Sequence, residues 1–399
     1  MTGDSRGPGR NDRGYLAGHL GALLFLTSIF FLNFIARVVP APLAPSIEAD
    51  LGFSHAQSGS LFLFISLGYF PGLLGSAFVS CRLGHRRLIV VSALSLGLAL
   101  LAASASVSPA GLYACLFLLG AGAGLYLPSG LATLTALIRP EHWGKALAVH
   151  EMAPNLSFVL APLAAEALLA WLPWRGVLGM LGLAALAAGL AFWRWGPAGQ
   201  QAGQAPSLGN LRELLAYPSF WATVALFALG IGASMGVYAM LPLFLISERG
   251  MDQQAANLLI AVSRLAGVGA SFAAGWATDH LGPKKALAGV LTLSAAATVL
   301  LGFSRGPWLV AALFLQPMAA VCFFPAGFAA LARVGSASAR GMAVSLTVPL
   351  AYILGGGALP AGIGLMGETL SFSWGLGLTG ALMFLGLGLL PALRLAPSD

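Results

Sequence analysis

Long apolar runs alternate along the whole chain with short segments that contain polar residues, glycine or proline. A helix needs about 20 predominantly apolar residues to cross a bilayer. The pattern therefore predicts an all-α polytopic membrane protein with 12 transmembrane helices, numbered here helix 1 to helix 12. Their predicted limits are 15–40, 57–80, 87–107, 110–138, 144–172, 175–195, 219–246, 254–277, 286–304, 307–333, 340–366 and 371–392.

One polar segment, GPAGQQAGQAPSLGN at 196–210, separates six helices from six. Its glycine, glutamine and proline residues are typical of a linker. The predicted organisation is an N-terminal tail (1–14), an amino half (15–195), a linker (196–218), a carboxy half (219–394) and a C-terminal tail (395–399). Within the linker, the stretch LRELLAYP predicts a short surface helix. Two pseudo-symmetric six-helix halves are one of the known architectures of transporters.

Composition agrees with a membrane protein, because 58% of the residues are hydrophobic and only 8% are charged, whereas a soluble domain has about a quarter charged residues. The net charge of +7 comes from single or paired basic residues, so we attribute it to membrane topology rather than to binding of nucleic acid. The three cysteines, Cys81, Cys115 and Cys322, are too far apart in sequence to predict a disulfide framework or a metal site. We expect no cofactor.

Lysine and arginine residues predict the orientation of the chain. If both termini are cytoplasmic, 15 of the 20 basic residues lie on the cytoplasmic side and three lie on the other side. The positive-inside rule favours this arrangement. We therefore expect a multi-pass protein of the cytoplasmic membrane that has both termini in the cytoplasm.

The two halves repeat each other with a shift of 198 residues. The loop AFVSCRLGHRR (77–87) matches the loop GWATDHLGPKK (275–285), so that Gly84 corresponds to Gly282 and Cys81 corresponds to Asp279. The same shift relates Ser54 to Asp252, which are the predicted N-caps of helices 2 and 8. The sequence thus predicts an internal duplication whose second loop carries an acid that the first lacks.

These loops carry a resemblance to the major facilitator superfamily, which extends along nearly the whole chain. The family pattern is G-x-x-x-D-[RK]-x-G-x-[RK]-[RK]. The second loop has His280 at the basic position, and the first loop departs from the pattern at Ala77 and Cys81. The matching residues, which we expect to act in conformational gating, are Gly275, Asp279, Gly282, Lys284 and Lys285 in the second loop and Arg82, Gly84, Arg86 and Arg87 in the first.

The resemblance implies a secondary transporter in which the two halves rock about a central site. It also implies that the loop acid pairs with a basic residue across the interface between the halves and stabilises one closed state. Since the first loop has Cys81, we expect the Asp279 loop to provide most of this clamp. The alternative is that the loops only form turns and set topology, because loop charge is needed for orientation in any case.

Few ionisable residues fall inside the predicted spans, and such residues are candidates for function. Arg37 lies eight residues before Pro45, which is about 12 Å along a helix. Arg264 lies fifteen residues before Asp279, about 22 Å from the other end of helix 8. A guanidinium at this depth has to face water, an acid or an anionic ligand, and it binds carboxylates through two parallel hydrogen bonds. We expect both arginines to bind substrate.

Helix 5 carries His150 and Glu151 about two turns from its start. Histidine and glutamate are suited to relay protons in a transporter, so we expect these two residues to couple proton flow to substrate. Glu151 and Asn155 share one helix face, and Asn155 is a candidate substrate-binding residue. The alternative for Glu151 is permanent neutralisation of an arginine. Glu166, near the other end of helix 5, is expected at the membrane interface.

Two tyrosines complete the predicted substrate-binding set, Tyr126 in helix 4 and Tyr352 in helix 11. Tyr352 precedes Gly355–Gly357, a candidate bending point. Drug exporters of the family that this chain resembles often carry an acid in helix 1 and an arginine in helix 4. Here the predicted helix 1 has no acid and the predicted helix 4 has no charged residue. These absences disfavour a transporter of organic cations.

We therefore predict a monomeric secondary transporter of a small anion, expected to be an organic carboxylate, driven by protons and partnered by the lipid bilayer. Exchange of two anions is an alternative in which Glu151 would be structural. The main rival is export of amphiphilic, lipid-like or drug-like compounds. An integral-membrane enzyme would need a nucleophile–base pair or metal cluster at membrane depth, which the sequence does not show, and a passive channel would not need the duplicated loops.

Overall fold

The computed structural model describes residues 12–197, 211–334 and 340–395. Within them it has 12 helices that are long and apolar enough to span a membrane, which confirms the predicted fold class. The short helix Leu211–Ala216 confirms the predicted linker helix. The 12 spans are Gly18–Leu51, His55–Leu83, His85–Ser104, Pro109–Leu137, Pro140–Leu169, Trp174–Trp195, Pro218–Glu248, Gln253–Leu281, Pro283–Phe303, Pro307–Leu331, Met342–Thr369 and Phe372–Ala392. Arg6, Arg10 and most of the predicted linker lie outside the described residues.

Helix 1 extends farther than predicted, because the prolines that suggested its end begin a second helical segment. The segment Asp12–Val38 ends beside Val39, and Pro40–Leu51 continues with Pro40 in its first turn, where a missing N–H costs least. The predicted end at residue 40 is therefore wrong. Arg37 lies fourteen residues before the true end at Leu51, about 21 Å along the helix axis, which places it deeper in the span than the sequence indicated.

Helices 7 and 11 contain π-helical turns, which are rare and frequent at functional sites. In helix 7 these turns are Gly232–Gly236 and Phe244–Glu248. In helix 11 the turn Ile353–Ala358 includes the predicted bending point Gly355–Gly357. A Cβ on Gly355 would lie 2.1 Å from the carbonyl oxygen of Ala228 in helix 7. The glycines therefore allow these two helices to pack backbone against backbone.

The internal duplication is visible in the backbone. Gly84 and Gly282 have φ angles of 76° and 80° and end helices 2 and 8, a conformation that glycine adopts without steric cost. Ser54 accepts a hydrogen bond from the N–H of Gln57, and Asp252 accepts two from the start of helix 8. The predicted caps and tight turns are confirmed.

Exposed tryptophans mark both ends of the bundle. Such rings are enriched at the level of lipid headgroups. We define the linker end as the end where helix 6 finishes at Trp195 and helix 7 begins at Pro218, and the far end as the end where helix 1 finishes at Leu51. The exposed tryptophans are Trp143, Trp193, Trp195, Trp221 and Trp276 at the linker end, and Trp171, Trp308 and Trp374 at the far end.

The two halves pack against each other mainly toward the far end. Helix 1 contacts helix 7 through Pro40–Leu51 and Val237–Leu243, helix 2 packs along helix 11, and helix 5 packs on helix 8 through Met152–Leu169. In the part of the chain that the structure describes, the linker-end segments of helices 1, 4 and 5 make no comparable packing with the carboxy half. The contacts between the halves are therefore denser at the far end than at the linker end.

Candidate functional site

Arg37 is buried in the interface between the halves, with 4% of its surface exposed. Its guanidinium carbon lies 4.5 Å from the ring centroid of Phe34, 4.7 Å from that of Tyr69 and 5.7 Å from that of Tyr352. Its Nε donates a long hydrogen bond of 3.4 Å to the Asn33 carbonyl, one turn earlier in the same helix. Because Tyr352 belongs to helix 11, the rings around Arg37 come from both halves.

Arg264 occupies a similar aromatic site but is tied to the backbone. Its Nη2 donates a 2.9 Å hydrogen bond to the carbonyl of Ser234, which lies in the first π-turn of helix 7. Its guanidinium carbon lies 4.6 Å from the ring centroid of Phe158 and 5.0 Å from that of Tyr238. Helix 5 of the amino half thus supplies one ring, and helix 7 of the carboxy half supplies the other.

The two arginines belong to one aromatic cluster. Phe34, which contacts Arg37, packs edge-on against Phe158, which contacts Arg264, with ring centroids 5.3 Å apart. Phe158 also packs edge-on against Tyr238. Two phenylalanines in contact with each other therefore lie between the two guanidinium groups.

Neither guanidinium forms an ion pair with a carboxylate among the described residues. A buried charge without a partner costs several kcal/mol, about 2 kcal/mol of which a desolvated cation–π contact offsets. Two such charges on one aromatic cluster give the site a positive charge within apolar surroundings. The arrangement favours an anionic ligand, which would neutralise the charge and fill the remaining hydrogen bonds.

Unpartnered polar atoms lie beside Arg264. Its own Nε and the Tyr238 hydroxyl are buried and have no hydrogen-bond partner within the described parts of the chain. The hydroxyl of Thr347 in helix 11 is likewise buried and has no hydrogen-bond partner among the described residues. Buried donors are normally paired, so these atoms are available to a ligand.

Helix 5 is broken at Glu151, between Trp143–His150 and Met152–Leu169. His150 is completely buried and stacks on Phe30 at 4.4 Å, whereas 54% of the Glu151 side chain is exposed. The His150 Nδ1 and the Glu151 Oε1 are 3.4 Å apart.

Tyr126 orients the His150 ring. Its hydroxyl donates a 2.7 Å hydrogen bond to the Leu26 carbonyl, and it lies 3.1 Å from His150 Nε2. A hydroxyl has one proton, so Nε2 carries the proton that faces Tyr126. Tyr126 is 0% exposed, and its hydroxyl is engaged within the amino half, although the sequence prediction assigned it to substrate.

Glu151 and Asn155 share an exposed face of helix 5, as predicted. Asn155 donates a 3.3 Å hydrogen bond to the Glu151 carbonyl. The Glu151 carboxylate lies within electrostatic range of the Tyr69 hydroxyl beside Arg37. Phe158, which continues the face toward the far end, contacts Arg264. Helix 5 therefore leads from the carboxylate to the aromatic cluster.

Polar contacts close the interface at the far end. Asn257 of helix 8 is completely buried, and its Nδ2 donates to a Glu166 oxygen at 2.5 Å and to the Pro42 carbonyl at 3.4 Å. Gln253 lies 3.5 Å from the Ser46 hydroxyl. Glu166, which the sequence predicted at the membrane interface, therefore contacts the other half of the protein.

The two duplicated loops differ in their contacts. In the first loop, His85 Nδ1 lies 3.1 Å from the Ser129 hydroxyl of helix 4, and the Cys81 thiol bonds within its own helix to the Ala77 carbonyl. In the second, Asp279 is exposed and forms no ion pair with a described residue. Gly275 has open space where a side chain would stand, so close packing is not its role. The exposed basic residues of the loops are Arg82, Arg87, Lys284 and Lys285.

Sequence reasoning found both arginines and Tyr352 but missed most of the rings around them. Phe34, Tyr69, Phe158 and Tyr238 were not identified as site residues. The chain has 23 phenylalanines and seven tyrosines, nearly all in apolar spans, so ring type alone gives no signal. Proximity to a buried arginine identifies them, and proximity requires the fold.

A crevice too narrow to hold a water molecule lies between helices 1, 3 and 6 and is lined by apolar and small residues that include Ile29, Ala93 and Ala185. All of its lining residues belong to the amino half. It therefore does not coincide with the interface that holds the two arginines.

Comparison with known proteins agrees with this architecture. A model of the Major Facilitator Superfamily matches residues 26–276 and 240–399. No curated protein sequence matches the chain. Several solved transporters share the fold at low sequence identity.

One is a bacterial homologue of the human lysosomal transporter Spinster in an inward-facing, unoccupied conformation, with a TM-score of 0.80 at 16% identity over 95% of this chain and 99% of that chain. The peptide transporter POT in complex with sulfate gives a TM-score of 0.76 at 16% identity over 93% and 94% of the two chains. A mutant of the nucleoside transporter NupG gives 0.75 at 16% identity over 94% and 100%.

The family match extends over both six-helix halves, and the solved neighbours that share the fold are transporters. The described residues also contain the 12 spans that this architecture requires. The protein is therefore a membrane transporter of the major facilitator superfamily and not an enzyme.

Proposed function

We propose that the protein is a proton-coupled secondary transporter of a small organic anion, with a carboxylate as the expected chemistry. The observation that carries this proposal is the pair of buried arginines, Arg37 and Arg264, which share one aromatic cluster and form no ion pair with a described carboxylate. A carboxylate accepts two parallel hydrogen bonds from a guanidinium. Binding of a carboxylate would therefore remove the free-energy cost of burying the unpaired arginine charges.

Tyr352 contributes to this site as a ring against Arg37, and Asn155 lies on the approach from the linker end. The unpartnered Nε of Arg264 and the Tyr238 hydroxyl add donors for the second oxygen of a carboxylate. We reassign Tyr126 from substrate contact to the positioning of His150, because its hydroxyl is engaged by the Leu26 carbonyl.

Proton coupling is supported by the hydrogen bonds of His150. Since Nε2 directs its proton to Tyr126, the Nδ1 atom meets the Glu151 carboxylate without a proton of its own in the neutral ring. Two acceptors in contact repel each other, and one added proton between them replaces repulsion by a hydrogen bond. The exposed Glu151 gives this proton a route to solvent, and an added positive charge near Arg37 would favour entry of the anion.

Alternating access follows from the two ends of the interface. In the proposed cycle, anion binding to rings and arginines of both halves draws the linker ends together, while the Asn257 contacts to Glu166 and Pro42 break at the far end. Asp279, exposed in the open state, would form its clamp only in the state with a closed linker end. The excess of basic residues at the linker end indicates that it faces the cytoplasm, so the structure would be inward-facing in the cytoplasmic membrane. We expect the monomer to function alone.

The test is thermal unfolding of the purified protein against matched small carboxylates, inorganic anions, sugars, organic cations and amphiphiles at pH 5.5 and 7.5. A ligand present at 100 times its dissociation constant stabilises the folded state by about 2.7 kcal/mol. The proposal requires that carboxylates raise the unfolding midpoint and do so more strongly at the lower pH. If amphiphiles or cations raise it instead and carboxylates have no effect, the protein is not an anion carrier. If a carboxylate raises the unfolding midpoint equally at both pH values, proton coupling is ruled out.

A further inference from the structure

A cluster of arginines and tryptophans lies at the linker end, where helix 3 begins beside the end of helix 6. We call it the arginine–tryptophan patch and define it as Arg86, Arg87, Trp193, Arg194 and Trp195. The two helices pack closely along their length. The patch lies on the outer surface of the amino half, and both of its tryptophans are exposed, with 66% and 71% of their surface free.

One arginine of the patch is fixed in place. The Nη2 of Arg86 donates a 2.8 Å hydrogen bond to the backbone carbonyl of Trp193, which joins the start of helix 3 to the end of helix 6. Its Nε is buried without a partner in the described chain. Arg87 and Arg194 are exposed beside it. The patch thus holds three positive charges, one of them oriented by the fold.

The two helices that carry the patch contain no compensating acid. The sequence contains no aspartate or glutamate in residues 51–140 or in residues 167–212, which include both helices and the linker between 196 and 210. Among the described residues, none of the three arginines forms an ion pair. The positive charge of the patch is therefore not neutralised by the segments that carry it.

The partner of the patch has to be negatively charged and has to lie at the edge of the membrane. Exposed tryptophans settle at the level of lipid headgroups, and basic groups between transmembrane helices at this level bind anionic headgroups. We propose that the patch binds an anionic phospholipid, with its phosphate on Arg86, Arg87 and Arg194 and its glycerol and upper acyl region against Trp193 and Trp195.

The internal duplication provides a matched comparison within the same molecule. The shift of 198 residues relates the positions of Trp193, Arg194 and Trp195 to Pro391, Ala392 and Leu393 at the end of helix 12. The second loop keeps two basic residues, Lys284 and Lys285, but the adjoining helix end offers neither tryptophan nor arginine at the matching positions. Substituting the lysine pair therefore removes the same number of charges as substituting two arginines of the patch. The pair lies at the same end of the bundle but outside the patch.

The experiment measures binding of dioctanoyl phosphatidylglycerol and dioctanoyl phosphatidylcholine to the purified protein in detergent by native mass spectrometry. Each basic residue near a membrane surface contributes about 1 kcal/mol to binding of anionic lipid, or roughly a fivefold change in affinity. We expect Arg87→Gln/Arg194→Gln to weaken phosphatidylglycerol binding about tenfold or more. Lys284→Gln/Lys285→Gln should change it less than about twofold. Arg86 is kept in both variants because its hydrogen bond to helix 6 supports the fold.

Four outcomes would overturn the proposal. The first two are an equal loss of affinity in the lysine variant and no loss in the arginine variant. The other two are binding of phosphatidylcholine as strong as that of phosphatidylglycerol, and displacement of half of the bound lipid by inorganic phosphate. The first would indicate a diffuse positive surface, and the last would indicate a site for free anions. Arg264→Gln should leave phosphatidylglycerol binding unchanged. A loss there would place the lipid at the central arginines and would also contradict the proposal.

Discussion

Arg37 and Arg264 lie in corresponding surroundings, each buried against aromatic rings from both halves, yet they are held differently. Arg264 donates a 2.9 Å hydrogen bond to a carbonyl in a π-turn of helix 7 and keeps Nε free. Arg37 has a 3.4 Å bond to its own helix and three rings within 5.7 Å, and the hydroxyls of Tyr69 and Tyr352 are its side-chain hydrogen-bonding partners. One guanidinium is preorganised by a backbone carbonyl of the carboxy half, and the other is held by side chains of both halves.

The difference indicates a division of roles at the proposed anion site. A preorganised donor loses little entropy on binding, so Arg264 should supply most of the affinity. Arg37 touches Tyr69 of the amino half and Tyr352 of the carboxy half, so its orientation should change when the halves move. We expect Arg37 to link occupancy of the site to closure.

The largest expected effect is that of Arg264→Gln. Removing a charge that pairs with a buried ligand costs about 3–5 kcal/mol, so anion binding should weaken by at least about 100-fold, and the ligand should no longer raise the unfolding midpoint. Titration calorimetry of the stabilising carboxylate measures this. Arg305→Gln, an exposed change at the far end, is the control with the same loss of charge. If both variants bind equally well, Arg264 is structural.

Arg37→Met separates binding from closure. The substitution removes an unpaired buried charge and keeps an apolar chain of similar length, so the unliganded protein should be about 1 kcal/mol more stable. Transport into vesicles should be lost, while equilibrium binding should weaken only about tenfold. Unfolding midpoints and uptake of labelled substrate report the two quantities. Greater stability with full transport would show that Arg37 has no part in closure.

Glu151→Gln tests whether the arginine site is linked to a proton. In the wild type, protonation of the His150–Glu151 pair adds positive charge near the site, so anion binding should strengthen as the pH falls from 7.5 to 5.5. In the glutamine variant the carboxylate charge is absent at every pH, so its binding should depend less on pH than that of the wild type and should lie within about threefold of the wild type at pH 5.5. Glu141→Gln, also exposed at the linker end, should keep the slope. A flat wild-type profile would make Glu151 structural.

The smallest expected effects on anion binding are those of substituting the tyrosine beside each arginine. Tyr238→Phe removes an unpartnered buried hydroxyl next to Arg264, so anion binding should weaken about fivefold, equivalent to about 1 kcal/mol for one hydrogen bond. Tyr352→Phe keeps the ring that contacts Arg37 and removes a hydroxyl that is already engaged with that arginine, so it should change anion binding less than about twofold. Calorimetry on the two variants distinguishes them. Equal effects would remove the distinction between a donor at Arg264 and a ring at Arg37.

Local sequence predicted the features that depend on neighbours along the chain. Apolar length predicted 12 spans, and the 198-residue shift predicted the turns at Gly84 and Gly282 and the caps at Ser54 and Asp252, all of which the structure confirms. The end of helix 1 was wrong because proline can either end a helix or begin one. Only packing against helix 7 shows that Pro40–Leu51 continues the span.

The sequence by itself determined the fold class, the family resemblance and the buried arginines, since hydropathy and isolated charges are properties of single segments. The tertiary structure decided that Phe34 and Phe158 bring Arg37 and Arg264 onto one cluster, that Tyr126 orients His150, and that Asn257 joins the halves at the far end. These contacts join residues that are 24 to 215 positions apart in pairs such as Tyr126–His150 and Pro42–Asn257. Their distances depend on how helices pack, which no local pattern of residues specifies.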